Sequence, residues 1–208
     1  MVSPATAVFS VLLVYSVLLI HSVLASDDVA QLCPGTIPLR RVPSTGQGTW
    51  WTILATKASS GQCGINNNQA PCTCTGFQFS SNLHPPYIPV YNTTVFGYNT
   101  EKCAYEKQEA EISLVDKNQP WAIFNFIDKA SGSSTVVSAL DTDDHETFII
   151  FYLCGMKTAE GEPIVIVVAK TRQGLSAESQ ERVDAVLKAN NICKDKLVAF
   201  DTTSCSDI

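Results

Sequence analysis

The chain has 208 residues and a formal net charge of −6 at pH 7, from 20 acidic and 14 basic side chains. A chain of this length suits one domain and can bury roughly 70% of the surface that its unfolded form exposes. Its longest basic cluster is Arg40-Arg41. Nucleic acid is therefore excluded as an expected partner, because phosphate contacts need a basic face.

The first 25 residues predict a secretory signal peptide. They contain no Asp, Glu, Lys or Arg, and two apolar runs, 11–14 and 17–20, precede Val23-Leu24-Ala25. This pattern fits cleavage after Ala25. His21 and several serines interrupt the stretch, which is short for a bilayer span. We expect 1–25 to be removed and 26–208 to form one secreted domain without a transmembrane anchor.

All eight cysteines follow the signal peptide. An even number of cysteines in an exported chain predicts up to four disulfides. Cys72 and Cys74 are too close together for a paired zinc motif, so we expect no metal site. The triplet Asn92-Thr93-Thr94 makes Asn92 a candidate for glycosylation.

Residues 48–170 are predicted to form β-rich segments separated by clusters of Gly, Asn, Pro and Ser. Each segment is short, and helical periodicity is weak. The candidate strands are 50–58, 72–80, 88–98, 104–115, 121–128, 135–141, 147–154 and 163–170.

A helix is predicted over 177–190, followed by a short strand over 196–201. Ser176 is a plausible N-cap, and acidic residues in the first turns favour the positive end of the helix dipole. An apolar stripe on this helix would face the rest of the protein. The stripe consists of Val183, Val186 and Leu187.

Eight consecutive antiparallel strands must protect their edges, and closure into a barrel does so completely. We therefore expect an all-β fold, an eight-stranded antiparallel up-and-down barrel with one C-terminal α-helix packed outside. The pattern alone leaves a β-sandwich open as the alternative. An eight-stranded barrel is either filled by its own side chains or holds one small ligand.

Three separated motifs resemble those of the lipocalin family. Gly48-Thr49-Trp50 matches its G-x-W, and Thr142-Asp143 resembles its T-D-Y turn, with Asp144 in the tyrosine position and one residue inserted. The third motif places an arginine after the last barrel strand, where this chain has Lys170, with Arg172 two residues on. The resemblance implies a cation over Trp50, and it leaves open which of the two provides it.

Within the family, the chain is most similar to apolipoprotein D and the insect bilin-binding and crustacean carotenoid-binding proteins. Residues 190–205 follow the apolipoprotein D pattern without a gap, as do residues 72–77. This resemblance implies the disulfides Cys33–Cys154 and Cys72–Cys205. It leaves four cysteines without an assigned partner, namely Cys63, Cys74, Cys103 and Cys193.

The resemblance also implies which residues face the barrel interior, because alternation fixes a strand once one inward position is known. The uncharged wall that results suits an apolar ligand: a bilin, carotenoid, retinoid, sterol or fatty acid, with a pigment slightly favoured and no cofactor required. The implied ligand-binding residues are Thr75, Phe77, Phe79, Ala122, Phe124, Phe126, Ile149, Phe151, Leu153, Ile164, Ile166 and Val168.

Two other classes of function are alternatives to a ligand carrier: an enzyme and a protein-interaction module. Lipocalins of the prostaglandin D synthase type are isomerases that use a free cysteine thiol inside the barrel. Strand alternation directs Cys74 outward, which leaves Cys103, and no activating base is visible, so we expect no catalytic residues. A barrel without ligand could instead dock a partner, or a second copy in a homo-oligomer, through an open-end loop over 84–87.

Overall fold

Eight antiparallel strands follow one another along the chain, and each is hydrogen-bonded to the next. The computed structural model describes residues 32–40, 46–57, 74–84, 88–99, 102–116, 121–143 and 147–208. The strands are β1 (Gly48–Thr56), β2 (Gly76–His84), β3 (Ile88–Asn99), β4 (Ala104–Leu114), β5 (Ile123–Asp128), β6 (Ser134–Thr142), β7 (Phe148–Lys157), β8 (Pro163–Ala169) and β9 (Leu197–Ala199).

The sheet closes because β1 pairs with both β2 and β8. This confirms the predicted up-and-down barrel and excludes the sandwich. The ninth strand, β9, lies outside the closed barrel and pairs only with β1 among the described strands. The barrel has two ends, and we call the one where β1 begins and β8 ends the Trp50 end.

Several details of the strands differ from the sequence prediction, and β2 spans Gly76–His84 where 72–80 was expected. β7 continues past Cys154 to Lys157, where its register against β8 shifts and Gly155 has a φ of 73°. Glycine adopts this φ without the steric cost that a side chain brings. In addition, β2 runs towards the Trp50 end, so it delivers His84 there and not at the open end as expected; residues 85–87 lie outside the described residues.

The predicted helix is confirmed as α1 (Ala177–Ala189). The Ser176 hydroxyl accepts a hydrogen bond from the Ser179 backbone N–H at 3.1 Å, as an N-cap does. Val183 and Leu187 are buried and Val186 partly so, against outward-facing side chains of β7 and β8 such as Phe148. The helix therefore packs outside the barrel through the predicted stripe.

An ion pair that the sequence did not suggest fastens α1 to β6. The Arg182 guanidinium donates to both Asp141 carboxylate oxygens, at 2.6 and 2.8 Å, and to the Thr142 carbonyl at 2.9 Å. Asp141 is 8% exposed. Paired geometry of this kind adds both energy and orientation to a contact.

We expect Arg182→Ala to lower the free energy of unfolding by about 1–3 kcal/mol, because the Asp141 carboxylate would stay buried without its donors. Urea unfolding followed by circular dichroism measures the change. Lys188→Ala, on the exposed side of α1, is the control and should change stability by less than about 0.5 kcal/mol. Equal effects of the two substitutions would contradict a specific role for the ion pair.

Two disulfides tie the chain ends to the barrel. Cys33 is bonded to Cys154 on β7, as the resemblance implied. Cys205 is bonded to Cys74, not to Cys72, so the predicted Cys72–Cys205 bridge is wrong. Cys72 and Cys74 are two residues apart and would share a face of an extended strand, so alternation cannot tell them apart.

Several expectations fall outside the described residues, namely the signal peptide over 1–25 and the pairing of Cys63 and Cys72. Across the described part of the chain, no helix has both the length and the apolar character needed to cross a bilayer.

Candidate ligand-binding site

The barrel interior is lined by apolar side chains that alternate with outward-facing residues along each strand. The central cluster joins Trp50 on β1 to Phe77 and Phe79 on β2, with further members on β3, β7 and β8. Three threonine hydroxyls, of Thr52, Thr75 and Thr93, are buried and have no hydrogen-bond partner among the described residues. The wall therefore combines a large apolar surface with few polar atoms.

Two cavities lie one above the other along the barrel axis. The inner cavity, nearer the Trp50 end, has a volume of about 50 Å³, and the outer cavity has about 120 Å³. The inner cavity is lined by Gly46, Phe79, Tyr91, Ile112, Phe124, Ala139, Ile149 and Phe151. The outer cavity is lined by Phe77, Phe79, Ile112, Phe126, Thr135, Val137, Phe151, Leu153, Met156 and Ile166.

The described residues of both linings are uncharged. Tyr91 is the polar side chain among the described residues that line the inner cavity, and burial raises the pKa of its hydroxyl, which stays protonated at neutral pH. Thr135 is the corresponding group on the outer cavity. Such walls favour neutral, apolar molecules, because a charged ligand would lose its hydration without gaining a partner.

The outer cavity opens away from the Trp50 end. Met156, which lines it, lies after Cys154 on β7 and is 40% exposed. Phe126 and Val137, on β5 and β6, are displaced in the same direction from Phe124 and Ala139 of the inner cavity. A ligand from solvent would therefore meet the outer cavity first.

The Trp50 end is closed by aromatic rings, cations and the preceding chain. Trp50 is fully buried, and its indole Nε1 donates to the Gly46 carbonyl at 2.8 Å. The Lys170 ammonium lies 5.4 Å from the centroid of the Trp50 ring, so Lys170 provides the cation expected there. Arg172 covers the neighbouring Trp51 instead, at 4.8 Å.

The Thr142-Asp143 motif holds the turn between β6 and β7 at the same end. The Thr142 hydroxyl donates to the Phe148 carbonyl at 2.7 Å, and an Asp143 carboxylate oxygen accepts from the Thr147 N–H at 2.9 Å. Partial burial raises the pKa of Asp143, but hydrogen bonds from Thr147 and Phe148 outweigh it and leave the pKa below its ordinary value. These hydrogen bonds connect the two sides of the turn.

Comparison with solved structures places this architecture among known ones. H1 crustacyanin from the lobster Homarus americanus matches with a TM-score of 0.57 at 15% identity, over 77% of this chain and 79% of that one. A biogenic amine-binding protein matches with a TM-score of 0.56 at 15% identity, over 81% and 86% of the two chains. An odorant-binding protein matches with a TM-score of 0.52 at 12% identity, over 83% and 100%.

The chain has the lipocalin fold. No protein-family model matches its sequence, and no curated protein does. Sequence identities this low establish a shared fold but do not identify the ligand. The similarity to the apolipoprotein D group stays a prediction. What the lipocalin fold supplies is a closed barrel with an interior open at one end.

Of the twelve interior residues predicted from the sequence, eight line a cavity of the lipocalin barrel. Their role in ligand binding stays a prediction. The other four line neither cavity: Thr75 is buried, Val168 packs in the cluster with Trp50, Ala122 packs with Phe124, and Ile164 is half-buried on β8.

Several lining residues on β3, β4, β6 and the end of β7 were not predicted from the sequence. No inward face was assigned to β3, β4 or β6, although strand alternation identifies these positions once one pairing is known. Phe126 opposite Ile112 supplies that pairing for β4. The missed residues are Tyr91, Ile112, Thr135, Val137, Ala139 and Met156, with Gly46 before β1.

The candidate glycosylation site lies on the outer wall. The neighbours of Asn92 in sequence, Tyr91 and Thr93, face the interior, so the Asn92 side chain points outward on β3. Its Oδ1 accepts a hydrogen bond from the Lys129 ammonium at 2.8 Å. A glycan at Asn92 would therefore extend away from both cavities.

Proposed function

We propose that the protein is a secreted carrier that binds one small apolar molecule inside the barrel. The pair of cavities lined by aromatic and aliphatic side chains carries this proposal. Apolar surface removed from water contributes about 25 cal/mol per Å², offset by the cost of immobilising the ligand. We therefore expect a Kd of about 1 µM or tighter for a ligand of matching shape.

Size limits the choice of ligand. Pockets for drug-sized molecules usually have about 300–1,000 Å³, whereas the outer cavity has about 120 Å³. A bilin or carotenoid, the class slightly favoured by the sequence, is accommodated only if side chains between the two cavities move. A molecule of odorant size needs no such movement, and an odorant-binding protein is among the similar structures.

Charge argues against an amine as the ligand, although a biogenic amine-binding protein has a similar fold. A protonated amine inside a barrel requires a carboxylate to pair with it. Among the described residues, those that line the two cavities include no Asp or Glu. The same neutrality suits a non-covalent ligand that needs no metal or cofactor.

Export is supported by the disulfides and by the apolar segment over 1–25. Disulfides form and persist in oxidising compartments, and Cys33–Cys154 and Cys74–Cys205 tie both ends of the chain to the barrel. Glycosylation at Asn92 would take place in the same compartment.

A binding role is favoured over thiol catalysis by where the cysteines lie. Cys74 is consumed in a disulfide, and Cys103 and Cys193 are exposed on the surface. Neither cavity lining includes a cysteine among the described residues. A catalytic thiol of the isomerase type would have to face the ligand.

Substitution of the inner wall tests the proposal. Phe126→Asp, in the wall of the outer cavity, should abolish binding, because its carboxylate would be desolvated without a partner when a ligand enters. Asn125→Asp places the same group on the outer face of β5 and should leave binding unchanged. Calorimetric titration of retinol, biliverdin, a carotenoid, a fatty acid and toluene against all three proteins measures this. If no ligand binds the natural protein, or if both variants behave alike, the carrier function is wrong.

A further inference from the structure

We infer that Phe79, Ile112 and Phe151 form a partition across the barrel that sets the size of the ligand. The outer cavity then accepts one ring-sized apolar molecule, and elongated ligands are excluded while the partition is in place. This inference rests on the proposed function, and it assigns the residues that determine specificity within it.

The three side chains are the ones that line both cavities, so they form the boundary between them. They come from β2, β4 and β7, and every pair of these strands is separated by at least one other strand in the closed sheet. Side chains from such separated strands meet only by crossing the interior. The partition therefore separates the outer cavity from the inner one.

Ring packing holds the partition in position. The ring centroids of Phe79 and Phe151 lie 6.3 Å apart in an edge-on arrangement. Phe77 stacks on Phe79 at 5.8 Å and contacts Phe151 at 6.1 Å. Phe79 is 6% exposed. A ligand that crosses from the outer to the inner cavity must displace Phe79 or Phe151 and break these contacts.

The volume of the outer cavity matches a single ring. An apolar protein cavity of about 150 Å³ lined by aliphatic and aromatic side chains takes up benzene, and the outer cavity has about 120 Å³. Beyond the partition, the inner cavity adds about 50 Å³. An elongated molecule would need both cavities and the space between them, which Phe79 and Phe151 occupy.

Removing one aromatic ring of the partition should shift the ligand preference of the barrel from toluene towards retinol. Calorimetry with toluene as the ring-sized probe and all-trans-retinol as the elongated one gives the ratio of their affinities. In the unaltered protein, toluene should bind at least about tenfold more tightly than retinol. Phe79→Ala and Phe151→Ala should each raise the retinol-to-toluene affinity ratio by about tenfold or more, because the two cavities then become one.

Phe148→Ala is the matched control, since it removes a ring from the opposite face of β7, beneath α1. The ratio should stay within about threefold of that of the unaltered protein. Circular dichroism monitors folding, and if an alanine variant unfolds, Phe79→Leu and Phe151→Leu, which keep an aliphatic side chain, take its place with the same expected direction.

Two results would overturn the partition alone: retinol bound by the unaltered protein as tightly as toluene, or no rise in the ratio in any Phe79 or Phe151 variant. If the unaltered protein bound neither probe nor any ligand of the earlier titration, the carrier function would fail together with the partition. The two failures are therefore distinguishable.

Discussion

Replacing both Cys74 and Cys205 with alanine should lower the free energy of unfolding by about 4–5 kcal/mol. The disulfide closes a loop with a sequence separation of 131 residues, and in the chain-entropy model a loop of this length restricts the unfolded chain by about that amount. The bond also holds the C-terminal residues over a cluster outside the barrel that includes Trp51 and Phe96. Urea unfolding under non-reducing conditions measures the loss.

The control for this prediction is Cys193→Ala, which removes an exposed thiol. It should change stability by less than about 0.5 kcal/mol, as surface substitutions usually do. A loss below about 1 kcal/mol in the double variant would contradict the stabilising role of the bond. Peptide mapping without reduction checks the pairing independently, since it must recover Cys205 linked to Cys74.

Trp50→Ala is expected to cost about 3–5 kcal/mol, the range typical of large aromatic deletions in cores. The side chain has no exposed surface and packs in the cluster with Phe77 and Val168. Its removal also frees the Gly46 carbonyl from its hydrogen bond. Thermal and urea unfolding of the variant give the change in stability.

The substitution Lys170→Ala distinguishes the contribution of the cation from that of the Trp50 ring. Lys170 is exposed, so the cation–π contact should contribute only about 0.5–1 kcal/mol. The indole would then account for most of the effect at the Trp50 end. A loss below about 1 kcal/mol for Trp50→Ala would mean that the ring is not part of the core.

The succession of strands was predictable because it follows from local patterns, whereas closure into a barrel, and not a sandwich, was favoured by the resemblance to lipocalins. Gly, Asn and Pro clusters delimit the strands, and eight antiparallel strands have few ways to protect their edges. Helix α1 was predicted for similar reasons, from an N-cap at Ser176 and a stripe at Val183 and Leu187. The ion pair of Arg182 with Asp141 joins elements far apart in sequence, and no local pattern indicates it.

For the candidate site, the sequence predicted only which residues along a single strand face the barrel interior. Starting from inward positions that the resemblance to lipocalins implied, alternation placed Phe77, Phe124 and Ile166 on the inner wall, where they line the cavities. It cannot show that Phe79 and Phe151 meet across the barrel, since that depends on the diameter and tilt of the closed sheet. The division into two cavities is thus a tertiary property.

The tryptophans determine which ligands an optical titration will detect. None of the three lines either cavity, and each has a cation over its ring. A bound ligand therefore alters their emission chiefly by accepting excitation energy, which requires a chromophore whose absorption overlaps tryptophan emission. Any retinol that binds has such a chromophore and would quench the fluorescence, whereas bound toluene would give no optical signal. A titration followed by fluorescence alone would thus detect only pigment-like ligands, even if the barrel binds colourless molecules more tightly.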